Sequence, residues 1–203
     1  MSETSTSTQV PSVPPPDQDG AMRTLLDGLQ RADERVFTHI AGWDSNVGDT
    51  LLPPLSVAAS YSRLWIAISA VVGLAGGKQS RRAVLEALTA VALSSATVNI
   101  AAKGIAHRRR PTTTVPKSRA LKHPSSSSFP SGHSASAAAF SGVMGKRLPA
   151  IDIPINTVAG AVAFSRVYTG VHYPGDVAVG WVVGRIAARL VTLVSRRLYS
   201  DGS

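Results

Sequence analysis

The chain has 203 residues, which favours a single domain, and its composition is 44% hydrophobic with only 5% aromatic residues. Its formal net charge of +9 predicts an anionic partner, and nucleic acid, anionic lipid headgroups and phosphorylated substrates all meet that requirement. Cysteine is absent, which excludes disulfides, thiolate chemistry and cysteine-based zinc sites.

The first 50 residues differ in character from the rest of the chain. Residues 1–20 are rich in Ser, Thr, Pro and acidic residues, and they contain neither the basic nor the apolar region of a signal peptide, so we expect a disordered tail. Residues 21–50 place apolar side chains such as Leu25, Leu29 and Ile40 at helical spacing among charges. This pattern predicts one amphipathic helix, or two short ones, packed on the domain or lying at a membrane interface.

Six apolar blocks, rich in Ala, Leu and Val and without strand-like alternation, follow and predict an all-α fold. They cover residues 51–60, 64–77, 83–102, 135–144, 153–164 and 177–194. Only 83–102 approaches the ~20 residues that span a bilayer. The many small residues suit close helix packing in lipid and equally a tight soluble bundle, so hydropathy alone leaves both open.

Basic clusters separate the blocks at residues 78–82, 146–147 and 196–197. In a six-helix arrangement all three fall on the same side as the termini, and the positive-inside rule makes that side cytoplasmic. The opposite loop, residues 103–129, is also basic, but two of its cations, Lys103 and Arg110, have another use.

These two cations open the first of three polar clusters. Lys103 and Arg110 are seven residues apart, so on a helix they lie within roughly 20° of each other and can converge on one anion. A solvated basic helix end explains this cluster equally simply.

In the second cluster, Ser131, Gly132 and His133 open an Ala-rich block, as at a helix N-terminus whose N–H groups bind anions. A capped helix with an incidental histidine is the alternative.

The third cluster contains Arg166, His172 and Asp176 around a turn before the last block. A carboxylate that holds one imidazole nitrogen leaves the other free as a nucleophile, and Arg166 can add a third cation. A turn with a structural histidine is the competing interpretation.

In order and spacing, the three clusters resemble the tripartite signature of the type 2 phosphatidic acid phosphatase family, which belongs with the lipid phosphate phosphatases and vanadium haloperoxidases. Here the signature reads Lys103-x6-Arg110-Pro111, Pro130-Ser131-Gly132-His133 and Ser165-Arg166-x5-His172-x3-Asp176. No motif position departs from the pattern. The motifs cover residues 103–176, and the apolar blocks extend the resemblance to about 51–194.

The resemblance implies a phosphohistidine mechanism. His172 would attack phosphorus, Asp176 would orient it, and His133 would protonate the leaving oxygen. Five further groups would form the phosphate-binding cradle: Lys103, Arg110, Ser131, Gly132 and Arg166. No metal or other cofactor is expected, because the cations supply the electrostatics.

The resemblance also implies the setting. Integral members have six transmembrane helices, so we predict a six-helix transmembrane bundle with an N-terminal amphipathic helix. The expected organisation is a tail (1–20), an interfacial region (21–50) and a phosphatase domain (51–198). The predicted protein is a multi-pass cell-membrane enzyme with extracytoplasmic catalytic loops, which acts on a polyprenyl or glycerolipid (di)phosphate.

Three other functions compete with this prediction. The apolar blocks argue against a soluble acid phosphatase of the same superfamily, and the lack of a signal-peptide pattern argues against an exported one. Vanadium haloperoxidases are generally much longer. A basic nucleic-acid-binding module predicts aromatic residues among the basic ones, whereas here threonines and serines follow the basic run, so no nucleic acid is expected. The oligomeric state is left open.

Overall fold

A computed structural model describes residues 18–104, 108–112, 115–121 and 126–200, without the side chains of 18–19, 21, 102–104 and 199–200. Within these ranges every regular element is helical, which confirms the predicted all-α class. The α-helices are α1 (Gln18–Ala41), α2 (Asn46–Ala58), α3 (Arg63–Ala75), α4 (Lys78–Gly104), α5 (Gly132–Arg147), α6 (Asp152–Tyr168) and α7 (Pro174–Ser200). Single 3₁₀ turns precede α3 (Ser60–Ser62) and α6 (Pro149–Ile151).

The chain divides into two compact units, residues 1–32 and 33–203. In the first unit, the described part of α1 exposes the apolar side chains of Met22, Leu25, Leu26 and Leu29. Most of the predicted tail lies outside the described residues. The interfacial role of residues 21–50 and the three predicted boundaries stay predictions.

Helices α2 and α3 form a bent pair. Ser45 caps α2 by accepting a hydrogen bond from the Gly48 N–H at 3.1 Å. The two helices meet at an angle of 68°, where Tyr61 and Ser62 adopt the left-handed conformation with φ of 54° and 58°. This break turns the 3₁₀ segment toward the start of α5, where Ser60 contacts His133.

Two helices of the described chain are long and apolar enough to cross a membrane, Lys78–Ala101 and Pro174–Leu198, and the bent pair α2–α3 would make a third. Helices α5 and α6 have 16 and 17 residues, or about 24–26 Å at 1.5 Å per residue, which is short of a ~30 Å hydrocarbon core. These helices support a membrane protein. The count of six transmembrane helices stays a prediction.

Helix α5 lies at the centre of the second unit and packs against α4, α6 and most extensively α7. Gly180 and Gly184 on α7 face its first turns, and a Cβ at either position would collide with the carbonyl oxygen of Ser131 or Ala135. Small residues at this spacing let two helix backbones approach closely. As a result the Ser131 N–H donates to the Asp176 carbonyl at 3.0 Å, and the starts of α5 and α7 are held together.

Candidate active site

The buried pair of His172 and Asp176 forms the centre of the site. His172 lies in the turn between α6 and α7, with its N–H donating to the Arg166 carbonyl at 3.1 Å. Asp176 is the third residue of α7 and is fully buried. The His172 Nδ1 lies 3.7 Å from the Asp176 Oδ2, while the Nε2 lies 3.3 Å from the Arg110 Nη1. One imidazole nitrogen therefore faces a carboxylate and the other a cation.

The surroundings of His172 favour a neutral ring. Burial lowers the pKa of His172, its contact with Asp176 opposes that shift, and the charges of Arg166 and Arg110 lower the pKa further. A neutral imidazole has a nitrogen lone pair available at neutral pH, which is what a nucleophile requires.

Asp176 has two side-chain partners that the sequence did not single out, Ser128 and Arg108, and one backbone partner. Its Oδ2 accepts from the Ser128 Oγ at 2.5 Å and from the Tyr173 N–H at 2.9 Å, and its Oδ1 accepts from the Arg108 Nη1 at 2.7 Å. The Ser128 Oγ also lies 3.5 Å from the His172 Nδ1. Ser128 belongs to a run of four serines and Arg108 to a run of three arginines, so local sequence offers no signal for choosing these members.

Arg110 is held by backbone carbonyls beside His172. Its guanidinium donates to the carbonyls of Val171 at 2.7 Å, Ser127 at 3.1 Å and Ser126 at 3.3 Å. Burial lowers the pKa of Arg110, and the Asp176 charge partly offsets this. The guanidinium is thus fixed with one edge toward the His172 Nε2.

Arg166 supplies a second cation, which unlike the half-buried Arg110 is buried. Its Nη1 donates to the Ser56 Oγ at 2.5 Å, and its buried Nε has no hydrogen-bond partner within the described part of the chain. A buried donor without a partner is costly, so this nitrogen is suited to an oxyanion that enters the site.

The start of α5 brings the second motif to the same place. The Ser131 Oγ accepts from the Ser134 N–H at 3.4 Å as the helix cap, and Gly132 begins the helix. The His133 Nε2 lies 3.3 Å from the Ser60 Oγ. Burial lowers the pKa of His133 to about 3, with Arg166, His172 and Arg110 adding to the shift. These surroundings therefore favour a neutral His133, and an anion beside it would raise its pKa by countering these charges.

A small cleft of about 170 Å³ opens beside Gly132 and His133. Its lining combines hydroxyl and amide side chains with apolar ones. The polar residues are Ser62, Ser95, Asn99 and Ser136, and the apolar residues include Ala59 and Val98.

Lys103 lies near the end of α4, but its side chain falls outside the described residues, so its approach to the site stays a prediction. The structure brings the other seven predicted site residues to the adjoining starts of α5 and α7 and the end of α6. Within the described ranges, no group of three or more His, Asp or Glu side chains is arranged to hold a metal ion. The assigned roles of all eight residues remain predictions.

Parts of this chain are similar to known proteins. A 71-residue segment is 42% identical to the decaprenylphosphoryl-5-phosphoribose phosphatase of two strains of Mycobacterium tuberculosis, CDC 1551 / Oshkosh and ATCC 25618 / H37Rv. The segment covers 35% of this chain and 39% of that relative, so the match spans well under half of the relative's length.

Two solved structures are similar over most of the chain. The first transmembrane PAP2 type phosphatidylglycerolphosphate phosphatase from Bacillus subtilis has a TM-score of 0.67 and 25% identity, covering 84% of this chain and 87% of its own. LpxE from Aquifex aeolicus has a TM-score of 0.64 at 24% identity over 78% of this chain and 93% of its own, and it shares the fold. Residues 83–200, more than half of the chain, match the PAP2 superfamily, and the chain belongs to that superfamily.

Proposed function

We propose that the protein is a membrane phosphatase that hydrolyses a polyprenyl or glycerolipid (di)phosphate through a phosphohistidine intermediate, without a metal. The observation that carries this proposal is the setting of His172, whose Nδ1 faces the buried Asp176 while its Nε2 faces Arg110. This arrangement suits a neutral nucleophile directed at an anion.

In the first proposed step, the lone pair of the His172 Nε2 attacks phosphorus and the P–O ester bond breaks as the P–N bond forms. The proton on Nδ1 stays directed at Asp176, which stabilises the positive charge that develops on the ring. Arg110 and Arg166 bind the non-bridging oxygens, together with Lys103, Ser131 and the Gly132 amide, in the role that Mg²⁺ plays in other phosphoryl transfers.

His133 would serve both steps. It donates a proton to the leaving oxygen, which departs as the alcohol, or as the lipid monophosphate if a diphosphate is cleaved. It then accepts a proton from the water that attacks phosphorus and releases inorganic phosphate from His172. Because burial and the neighbouring cations lower the pKa of His133 to about 3, we expect it to be protonated only when a phosphate dianion is bound beside it.

The cleft beside His133 indicates which kind of leaving group the substrate carries. A leaving group must lie on the side of the general acid, and the cleft there offers it both hydroxyl or amide side chains and apolar ones, which suits the junction of a head group and a lipid chain. The similar proteins are named for a decaprenyl-linked phosphoribose and for phosphatidylglycerolphosphate. Polyprenyl and glycerolipid substrates are therefore both retained in the proposal.

Packing at the opposite end of the helices supports extracytoplasmic catalysis. There the Gln79 Nε2 donates to the Arg147 carbonyl at 3.0 Å, and Arg82 donates to the Ser195 carbonyl at 3.2 Å. The three basic clusters thus meet at the start of α4, about 40 Å from the other end of this 27-residue helix. The positive-inside rule would place that end in the cytoplasm and the site on the other side.

The test is phosphate release by the full chain purified in detergent, with EDTA, from polyprenyl diphosphate, phosphatidate and phosphatidylglycerophosphate. We expect release from at least one lipid, and an acid-labile phosphoenzyme that is absent from His172→Ala. His39→Ala, a histidine outside the site, is the matched control. Near-normal turnover by His172→Ala would disprove the nucleophile, and purification without detergent would favour the soluble acid phosphatase alternative.

A further inference from the structure

A charged chain extends from the site to α1. The Asp176 Oδ1 accepts from the Arg108 Nη1 at 2.7 Å, and the Arg108 Nη2 lies 2.7 Å from the Asp33 Oδ2. The other oxygen of Asp33, Oδ1, accepts from the Gly175 N–H at 2.7 Å. Asp33 therefore contacts both the cation that holds Asp176 and the backbone immediately before Asp176.

We infer that Asp33 is a positioning residue that fixes the His172–Asp176 pair through Arg108. This inference rests on the proposed function and assigns a catalytic purpose to a residue outside the three motifs.

Packing fixes Arg108 in its bridging orientation. Its guanidinium lies over the Tyr173 ring at 4.2 Å from the ring centroid. The Tyr173 ring also makes an edge contact at 5.6 Å with Phe37, which is buried one turn after Asp33 on α1. The Arg108 carbonyl accepts from the Ser128 N–H at 2.9 Å. The same turn of α1 thus holds Arg108 by charge and its stacking partner by packing.

Sharing one cation between two carboxylates has an electrostatic consequence. Arg108 neutralises part of the Asp176 charge, and Asp33 in turn neutralises part of the Arg108 charge. Asp176 therefore keeps more of its effect on His172 than it would in an isolated ion pair. Burial works against a charged Arg108, but the carboxylates of Asp176 and Asp33 outweigh it and raise the pKa of Arg108.

The predicted signature is a pH shift together with slower turnover. Among the described residues, the charged or titratable groups that act on His172 are Asp176 on α7, Arg166 on α6, His133 on α5 and Arg110 in the segment 108–112, while Arg108 acts through Asp176. Loss of the Asp33 charge makes this environment more positive, which disfavours a protonated His172. The acidic limb of the rate profile should therefore move to lower pH.

The test compares Asp33→Asn with Asp44→Asn, an exposed carboxylate in the α1–α2 connection. In Asp33→Asn the amide oxygen can still accept from the Gly175 N–H, so the variant removes charge with little change in shape. We expect kcat to fall about 10- to 100-fold with KM within twofold, because misplaced reacting groups cost rates of that order. Asp44→Asn should match the unchanged enzyme.

Two further variants distinguish the proposed effect from a loss of activity that is caused by misfolding. Arg108→Lys keeps the charge but has no planar fork to join two carboxylates, so it should reproduce the loss of kcat. Asp33→Glu restores the charge and should recover part of the turnover and the original acidic limb. If the unchanged enzyme is active, two results would overturn this inference and leave the proposed function standing. In the first, the Asp33→Asn and Arg108→Lys variants keep kcat within twofold. In the second, kcat falls but the acidic limb of the rate profile does not move. A wild-type chain that releases no phosphate from any lipid would remove the proposed function as well.

Discussion

The close approach of α7 to α5 can be tested by adding a single methyl group. In Gly180→Ala, the new Cβ would collide with the Ser131 carbonyl oxygen and lie 3.2 Å from its carbonyl carbon and 3.3 Å from its nitrogen. These are backbone atoms at the cap of α5, so no side-chain rotation can relieve the contact.

The size of the effect follows from that geometry. Carbon contacts are comfortable at about 3.5–4.0 Å, so α7 must retreat from α5 by roughly 1 Å. Ser131 N–H and the Asp176 carbonyl, now 3.0 Å apart, would then separate beyond hydrogen-bonding distance. Overpacking of this kind typically costs about 1–3 kcal/mol of stability. Because Asp176 moves with α7, we expect kcat to fall about 100-fold.

The assay is thermal unfolding in detergent, followed by circular dichroism, together with kcat on the preferred lipid phosphate. Gly160→Ala on α6 is the matched control, because a Cβ there meets no atom of the described residues within 4 Å. It should keep full activity and unfold at the same temperature or slightly higher, since Ala favours a helix over Gly. If Gly180→Ala unfolds and turns over like Gly160→Ala, the close approach does not position the site.

Three other changes test individual contacts. Ser128→Ala removes a 2.5 Å hydrogen bond to Asp176, so kcat should fall about 10-fold with little change in KM, measured by steady-state phosphate release. Arg166→Lys should weaken inhibition by vanadate or inorganic phosphate about 10-fold, because a single ammonium replaces the buried guanidinium, whose Nε has no partner among the described residues. His133 has a folded-state pKa of about 3 against 6.5 when unfolded, so its contribution to stability is complete above pH 6.5 and is lost as pH falls toward 3. Denaturant titrations at pH 7 and pH 4.5 should show a smaller acid-induced loss of stability in His133→Asn, and an equal loss would contradict the shifted pKa.

Local sequence patterns were sufficient to predict the helical class and to locate the three motifs. The apolar periodicity that indicates a helix involves only residues close in sequence. The motifs are likewise recognised from the spacing of residues along the chain, such as Lys103, Arg110, His133 and His172. The same reading counted six apolar blocks. It did not reveal that α2 and α3 meet at 68°, because that bend depends on two left-handed residues, Tyr61 and Ser62.

Only the tertiary structure identified the residues that surround the site. Asp33 and Gly175 are 142 positions apart, and Ser128 and Asp176 are 48 apart, so no local pattern connects them. Arg108 is one of three consecutive arginines, and only the packing of Tyr173 and α1 distinguishes it from its neighbours. The sequence by itself determined which kinds of groups can bind and transfer a phosphate. The approach of α5 and α7, made by Gly180 and Gly184, decided which of them meet, because helix packing joins residues that are remote along the chain.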